Sequence, residues 1–125
     1  MLMPVLLMSA PLCHATDGDS IRCGKERIRL LGIDAPETAG HCRRGRVCAP
    51  GNADASTQSL KHAIAGRDIK VQRLTKDRYG RTLAVVYAGS RNLSCSQLRS
   101  GNAIYKPKWD NGGRIAAACP EATQR

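Results

Sequence analysis

The sequence predicts a mainly β protein with attached helices, an α+β fold built on a small five-stranded barrel of the OB type. The first indication is the order of segments: three short strands, a helix, two strands and a second helix. The second is strand length, because strands this short leave exposed edges unless the sheet closes on itself. The third is composition: with no Phe, one Trp and three Tyr, the core must consist of Leu, Ile, Val and Ala.

The first half of the chain begins with an apolar segment and a hairpin. Residues 9–16 are interpreted as a first strand, and residues 17–33 as two strands joined by a turn at Gly24-Lys25. A loop rich in Gly, Arg and Cys follows at residues 40–52. A helix is then predicted over residues 53–66, with an apolar stripe and a glycine at its end. Asn52 or Asp54 can cap it, Leu60, Ala63 and Ile64 form the stripe, and Gly66 ends it.

The second half alternates strands, turns and short helices, with Gly and Asn at the boundaries. The predicted elements are a strand at 68–74, a turn at 75–80, a strand at 81–88, a turn at Gly89-Ser90, a helix at 92–101 capped by Asn92, a short strand at 102–106 and a weak final helix from Ile115 to Ala118.

A chain of 125 residues predicts one compact domain, here over residues 16–125, and we expect a monomer. Residues 1–15 are apolar and end in small residues, as an export signal does, but lack the usual Lys or Arg at the start. We therefore expect an export signal, part of the first strand, or both. The apolar run is too short to span a membrane, so no stable membrane association is expected.

Six cysteines in so short a chain predict three disulfide bonds and an oxidising compartment, secreted or periplasmic. The cysteines do not have the Cys-x-x-Cys spacing of a zinc site. The alternative to three disulfide bonds is six buried thiols. Six cysteines allow 15 pairings, and three of the possible bonds fit the predicted elements. Cys13 and Cys23 are equidistant from Gly18, Cys42 and Cys48 flank a short basic loop, and Cys95 and Cys119 would join the tail to a preceding helix.

The charge balance favours a polyanionic partner. The formal net charge is +10, from 20 basic and 10 acidic residues, and a domain this basic is suited to binding phosphates. The alternative is a basic surface that serves only solubility.

Four of the ten acids lie in two short turns, although the rest of the chain is basic. The predicted hairpin brings Asp19 and Asp34 to the same open end, where their carboxylates and the carbonyl of Ala35 would suit a hard cation such as Ca²⁺. So few protein ligands imply weak affinity, of order 10⁻⁴–10⁻³ M. The alternative is that the acids in both segments only stabilise a turn or the start of a loop.

Two arginines lie where an anion would be clamped. Arg29 lies inside an apolar strand and needs an anionic partner, which could be a nearby acid or a substrate. Arg81 begins the strand after a tight turn, and on its own it would be interpreted as an exposed hairpin residue.

Taken together, three ordered motifs resemble the staphylococcal nuclease-like (thermonuclease) family. They are DGDS at residues 17–20, RIRLLGIDAPE at 27–37 and DRYGRTLAVVYA at 77–88, with weaker support from residues 92–107. The resemblance covers nearly everything from Asp17 to Pro107. It implies an OB-type barrel and calcium-dependent cleavage of DNA and RNA.

The resemblance also implies roles at matching positions. Asp19, Asp34 and the Ala35 carbonyl become calcium ligands, and Glu37 positions or deprotonates the attacking water. Arg29 and Arg81 become the clamps on the phosphate. Arg78 and Tyr79 fall where the family contacts nucleotide phosphates, and Tyr105 falls where it packs near a base.

Two departures from the family pattern affect substrate binding. Ala103 stands where the family has a base-contacting aromatic, so base binding is expected to be looser or altered in preference. The basic insert at residues 41–48 lies close in sequence to the predicted site. We expect its three arginines, Arg43, Arg44 and Arg46, to guide the nucleic-acid backbone.

The sequence therefore favours an exported, calcium-dependent nuclease acting on single-stranded or flexible DNA and RNA. The first alternative is a nucleic-acid-binding OB module with weak or no catalysis, but such a module should lack some of Asp19, Arg29, Asp34, Glu37 and Arg81. The second is a binder of another polyanion, which would not need these five residues together.

Overall fold

The computed structural model describes residues 12–38 and 40–124. Within these ranges, no helix is both long and apolar enough to cross a bilayer. The strands are β1 (Cys13–Asp17), β2 (Ser20–Cys23), β3 (Glu26–Leu30), β4 (Ile33–Asp34), β5 (Ile69–Lys76), β6 (Thr82–Ala88), β7 (Arg91–Asn92) and β8 (Ile104–Tyr105). The helices are α1 (Ala53–Ile64), α2 (Leu93–Arg99), α3 (Arg114–Ala118) and α4 (Pro120–Thr123), with short 3₁₀ turns at Pro107–Trp109 and Asn111–Gly113.

Six strands form one sheet in the order β1-β2-β3-β6-β5, with β7 paired to β6. The β3–β6 pair is parallel, whereas the other pairs are antiparallel. Strands β4 and β8 form a separate two-stranded ladder. The α+β class is therefore confirmed, but the described strands form an open sheet rather than a barrel closed by hydrogen bonds.

The core consists of aliphatic side chains from both strands and helices. On the central strands, Ile21, Ile28 and Leu30 are about 1% exposed, because alternate residues of a strand face the same side. The predicted stripe of α1, formed by Leu60, Ala63 and Ile64, is buried as well. The helix begins at the Asn52 cap, whose side chain accepts a hydrogen bond from the Ala55 amide.

Most predicted elements are present, with shifted ends. The turn at Gly24-Lys25 joins β2 and β3, β5 continues to Lys76, and the final helix begins at Arg114. A short helix at Pro120–Thr123 was not expected, nor were the two-residue strands β4 and β7. Residues 1–11 of the predicted export segment lie outside the described residues, as do the first positions of the strand predicted at 9–16, while the rest of that prediction coincides with β1.

The three predicted disulfide bonds are present, and none of the described cysteines is free. Cys13 faces Cys23 across the β1–β2 ladder, so this bond closes the first hairpin. Cys42 is joined to Cys48 within the basic loop, and Cys95 of α2 to Cys119 between α3 and α4.

Candidate active site

A cleft of about 1000 Å³ opens beside the parallel strands β3 and β6. Its charged lining is dominated by cations, because six arginines and one lysine face two acids, Glu37 and Asp77. Such a surface attracts an anionic polymer. The cations are Arg27, Arg29, Arg43, Arg46, Arg78, Arg81 and Lys108.

The parallel pairing brings the two predicted clamps together. Ile28 pairs with Thr82 and Arg29 with Leu83, while Arg81 directly precedes β6. Arg27 and Arg29 are two residues apart on β3, so their side chains leave the same face, whereas Ile28 points into the core. Arg29 and Arg81 therefore line one cleft together with Glu37.

Asp19 and Asp34 are not among the residues that line the cleft, and they are 6% and 1% exposed. The guanidinium of Arg29 bridges them, with Nη1 3.0 Å from Asp19 Oδ2 and Nη2 3.6 Å from Asp34 Oδ1. Asp19 Oδ2 also accepts a hydrogen bond of 2.9 Å from the amide of Ala35. Arg29 thus has the acidic partners that its place in an apolar strand requires.

The acids perturb one another because they are close and poorly hydrated. Burial raises the pKa of Asp34; Arg46 and Arg29 act in the opposite direction, while Asp19 and Glu37 add to the rise. Burial also raises the pKa of Asp17, to which the charges of Asp19 and Glu37 contribute. A positive charge nearby stabilises the ionised form of carboxylates that are close together and poorly hydrated.

The donor atoms suit a hard cation. The available ligands are carboxylate and carbonyl oxygens, and since every described cysteine is in a disulfide, no thiolate competes. No cluster of three or more His, Cys, Asp or Glu side chains with metal-binding geometry occurs in residues 12–38 and 40–124. The two aspartates suit a cation that keeps several waters or substrate oxygens as ligands, and Ala35 adjoins them through its amide, which donates to Asp19.

The basic loop places an arginine directly on these acids. Arg46 Nη1 lies 2.8 Å from Glu37 Oε1, and Arg46 Nη2 lies 3.2 Å from Asp34 Oδ1. The Cys42–Cys48 bond closes the loop that carries Arg46. The guanidinium that we expected to guide nucleic acid therefore pairs with the predicted base and a predicted metal ligand. Arg43 lines the cleft nearby, whereas Arg44 is exposed and lies outside the cleft lining.

The turn before β6 is held by Asp77. Its Oδ1 accepts hydrogen bonds from the amides of Tyr79 and Arg81, and its Oδ2 accepts one of 2.7 Å from Arg81 Nε. Arg27 donates a hydrogen bond to the carbonyl of Tyr79 from the neighbouring strand. These contacts fix Arg81 at the edge of the cleft.

Arg78 and Tyr79 lie together in the lining of the cleft. Arg78 Nη2 lies 2.7 Å from the Tyr79 hydroxyl, and this hydrogen bond lowers the pKa of Tyr79. The guanidinium of Arg81 lies 5.5 Å from the centre of the Tyr79 ring. An exposed ring flanked by cations can bind a phosphate or a base.

Tyr105, the predicted base contact, lies outside the cleft lining. Its hydroxyl donates a 2.6 Å hydrogen bond to Asp110 Oδ2, and burial together with this bond raises the pKa of Tyr105 to about 12. Ala103 is buried and offers no aromatic surface. The family-implied base contact is therefore not part of this cleft.

The cleft residues that the interpretation of the sequence did not assign to the site include Arg27, Lys108 and Trp109. Arg27 had a signal, since its spacing of two from Arg29 on a strand places both on one face. Trp109 lies two residues after Pro107, outside any predicted strand or helix, so its spacing in the sequence does not indicate which way the side chain points.

A buried glutamine holds the turn between β1 and β2. Gln97 of α2 is fully buried, and its Nε2 donates to the carbonyls of Gly18, at 2.7 Å, and Ser56, at 2.9 Å. A Cβ on Gly18 would lie 1.8 Å from Ser56 Oγ, so this position requires glycine. Asp19 is thus tied to helices α1 and α2 through its own turn.

Known proteins resemble this chain over most of its length. It is 36% identical over 95 residues to a thermonuclease of Staphylococcus intermedius, covering 72% of this chain and 55% of the relative. It is 30% identical over 115 residues to a thermonuclease of Staphylococcus hyicus, with 85% and 66% covered. It is 36% identical over 114 residues to a protein of Escherichia coli O157:H7 described as an uncharacterised endonuclease, with 87% and 68% covered. The chain thus spans about half to two thirds of the length of these relatives.

The family model described as "Staphylococcal nuclease homologue" matches residues 27–124, a range that includes β6, all four helices and β3 except its first residue, Glu26. Together with the cleft beside β3 and β6, this match shows that the chain belongs to the staphylococcal nuclease homologue family, whose fold is of the OB type.

Proposed function

We propose that this protein is a calcium-dependent nuclease that hydrolyses phosphodiester bonds of DNA and RNA. The main support is one arrangement: Arg29, Arg81 and Glu37 line a single basic cleft, and Arg29 contacts the buried pair Asp19 and Asp34. The thermonuclease and endonuclease names of the relatives point to the same activity.

In this proposal the arginines bind the scissile phosphate. Cleavage builds negative charge on the phosphate oxygens, and planar guanidiniums that are already held in place stabilise it with little reorganisation. Asp19 holds Arg29 and Asp77 holds Arg81, so both clamps have a fixed orientation.

Glu37 is proposed to position the attacking water and accept its proton. Its side chain is 34% exposed at the cleft, where substrate and water both have access. A well-placed general base typically accelerates a reaction about 10²–10⁴-fold.

Asp19, Asp34 and the carbonyl of Ala35 would hold the calcium ion. When bound, the cation supplies positive charge that screens the approach of an anionic nucleophile to an anionic phosphate. Calcium is proposed over softer metals because these donors are all oxygen atoms.

The test is hydrolysis of single-stranded DNA and RNA with calcium or with EDTA. We expect EDTA to abolish cleavage, Glu37→Gln to slow it about 10²–10⁴-fold, and Arg81→Ala to slow it about 10²–10³-fold. Arg91→Ala is the matched control, because Arg91 is an exposed arginine of β7 outside the cleft lining. Circular dichroism would check that each variant folds.

One observation favours the alternative of a binding module without catalysis: Glu37 is paired with Arg46. That alternative predicts oligonucleotide binding without cleavage in calcium, and a Glu37→Gln protein that binds as well as the wild type. Full hydrolysis by the Glu37→Gln protein would remove the proposed base.

Arg43, Arg44 and Arg46 are proposed to contact the nucleic-acid backbone next to Arg78 and Tyr79. Replacing the three arginines with alanine should reduce the slope of log K against log salt by about 2 for single strands, since each phosphate contact contributes about 0.7. Alanine at Lys25, Lys61 and Arg91, which are exposed outside the cleft, removes the same charge and should change the slope less. Equal slopes for the two triple variants would contradict the proposal.

We further propose that the protein is exported. Three disulfide bonds in a chain of this size fit an oxidising compartment, where calcium is also abundant enough for a weak site. N-terminal sequencing of protein recovered from outside the cytoplasm would test this, and recovery in the cytoplasm with reduced cysteines would contradict it.

A further inference from the structure

We propose that Trp109 is a base-stacking residue of the cleft, taking a nucleobase next to the phosphate bound by Arg29. This inference rests on the proposed function and assigns a substrate contact that neither Tyr105 nor Ala103 can supply in this cleft.

The first argument is where the chain places its few aromatic rings. It has only four aromatic residues, and two of them, Tyr79 at 48% and Trp109 at 38%, are exposed. Both line the same cleft, whereas Tyr87 and Tyr105 are half-buried against the core. Large rings left in water at a cationic cleft are typical of proteins that bind single-stranded nucleic acid by stacking.

The second argument is the pairing of each ring with a phosphate clamp. Arg29 lies 5.1 Å from the centre of the Trp109 ring, and Arg81 lies 5.5 Å from that of Tyr79. A phosphate held by both guanidiniums would therefore have an exposed ring beside each of them. Lys106 lies 5.3 Å from the Trp109 ring and offers a further cation for the adjoining backbone.

The third argument is that Trp109 is carried by a fixed segment. It ends the 3₁₀ turn Pro107–Trp109, and its amide donates to the carbonyl of Lys106 at 2.9 Å. The next residue, Asp110, is buried and accepts hydrogen bonds from the Tyr105 hydroxyl and the amide of Ile115. A ring on an anchored backbone loses little entropy when a base stacks on it.

Stacking on exposed rings needs unpaired bases, so the inference also specifies the substrate. Single-stranded segments can present a base to Trp109, whereas bases inside a duplex are already stacked on their neighbours. Because every base has a flat face, this contact would favour no particular sequence.

Trp109 is the only tryptophan of the chain, so its fluorescence reports on the contact directly. In EDTA, we expect an oligothymidylate to quench this emission, whereas an abasic oligomer with the same number of phosphates should quench it little. By anisotropy of a labelled oligomer, Trp109→Ala should weaken oligothymidylate binding roughly 5- to 150-fold. It should leave abasic binding unchanged, and Trp109→Phe should retain most of the affinity.

Leu12→Ala is the control for removing an exposed apolar side chain, since Leu12 is 92% exposed and lies outside this cleft. If Trp109→Ala lowers the affinity for both oligomers equally, the ring acts through Arg29 and not on a base. If it lowers neither affinity, the ring does not contribute to binding. Each result overturns the inference. Cleavage by the wild type in calcium is measured separately. If Trp109→Ala weakens oligothymidylate binding but the wild type does not cleave, the proposed nuclease function is overturned and the inference about Trp109 remains. If the wild type cleaves but Trp109→Ala binds oligothymidylate normally, the inference is overturned and the nuclease function remains.

Discussion

Arg46 places a positive charge where the proposed calcium ion would have its ligands. Its guanidinium contacts Glu37 and the almost fully buried Asp34, which also faces Arg29. The two arginines compensate the charge of Asp34 in the low-dielectric interior. A metal ion at this site would therefore compete with a side chain of the protein itself.

From this competition we predict that Arg46→Ala binds calcium more tightly than the wild type. Removing a unit charge about 4 Å from a ligand changes the free energy by at least about 1 kcal/mol, or roughly fivefold in affinity. Isothermal titration calorimetry without nucleic acid would measure it. Arg44→Ala removes the same charge from the same loop outside the cleft lining and serves as the control. An unchanged or weaker affinity of Arg46→Ala would show that Arg46 does not compete.

Several site residues could be predicted because neighbouring chain segments fix them. Asp19 and Arg29 meet because Ser20 pairs with Arg29 across a hairpin whose turn the sequence indicates. Arg46 and Trp109 could not be placed in the same way. They lie outside the regular strands and α-helices. The course of the chain at Arg46 depends on the Cys42–Cys48 disulfide bond, and at Trp109 it depends on the buried Asp110.

Among the elements, α2 does more than pack against the sheet. Its fully buried Gln97 donates to Gly18 and Ser56 and accepts a 2.7 Å hydrogen bond from the hydroxyl of Ser59. Another α2 residue, Ser94, donates to the carbonyl of Leu31 at 2.8 Å. The helix thereby fixes chain segments on both sides of the hairpin that carries Asp19 and Arg29.

We predict that Gln97→Leu lowers the free energy of unfolding by about 2 kcal/mol or more, because it leaves several buried polar groups without partners. Urea denaturation would measure the loss. Gln58→Leu, on the exposed side of α1, should change stability by less than about 0.5 kcal/mol. Equal stability of the two variants would contradict a structural role for the network.

The element boundaries show what the sequence could indicate. Turns with glycine and caps with asparagine predicted the hairpin and the starts of α1 and α2, because these signals act locally. Strands β4 and β8 contain two residues each, and only their mutual pairing, Ile33 with Tyr105 and Asp34 with Ile104, makes them strands. The open sheet likewise depends on long-range pairing that no local pattern specifies.

For the whole molecule, the disulfide bonds should contribute unequally to stability. The sequence separations are 24 for Cys95–Cys119 and 6 for Cys42–Cys48. Longer closed loops restrict the unfolded chain more, so we predict that replacing both cysteines of the first pair by alanine costs about 1 kcal/mol more than replacing the second pair.

Thermal unfolding of the two double variants would measure this difference, and a reductant should lower the melting temperature of the wild type. Equal losses would show that native contacts rather than loop closure decide the contribution. A melting temperature unaffected by reductant would contradict any stabilising role of the three bonds.

Strands β3 and β6 lie side by side in the same direction, although Ile28 and its partner Thr82 are far apart in the sequence. A ribosome must therefore release the chain beyond Thr82 before Arg29 and Arg81 can become neighbours. A nascent chain that ends before β6 has only half of the phosphate clamp. The proposed nuclease would thus reach its full activity only after β6 has been translated and paired with β3.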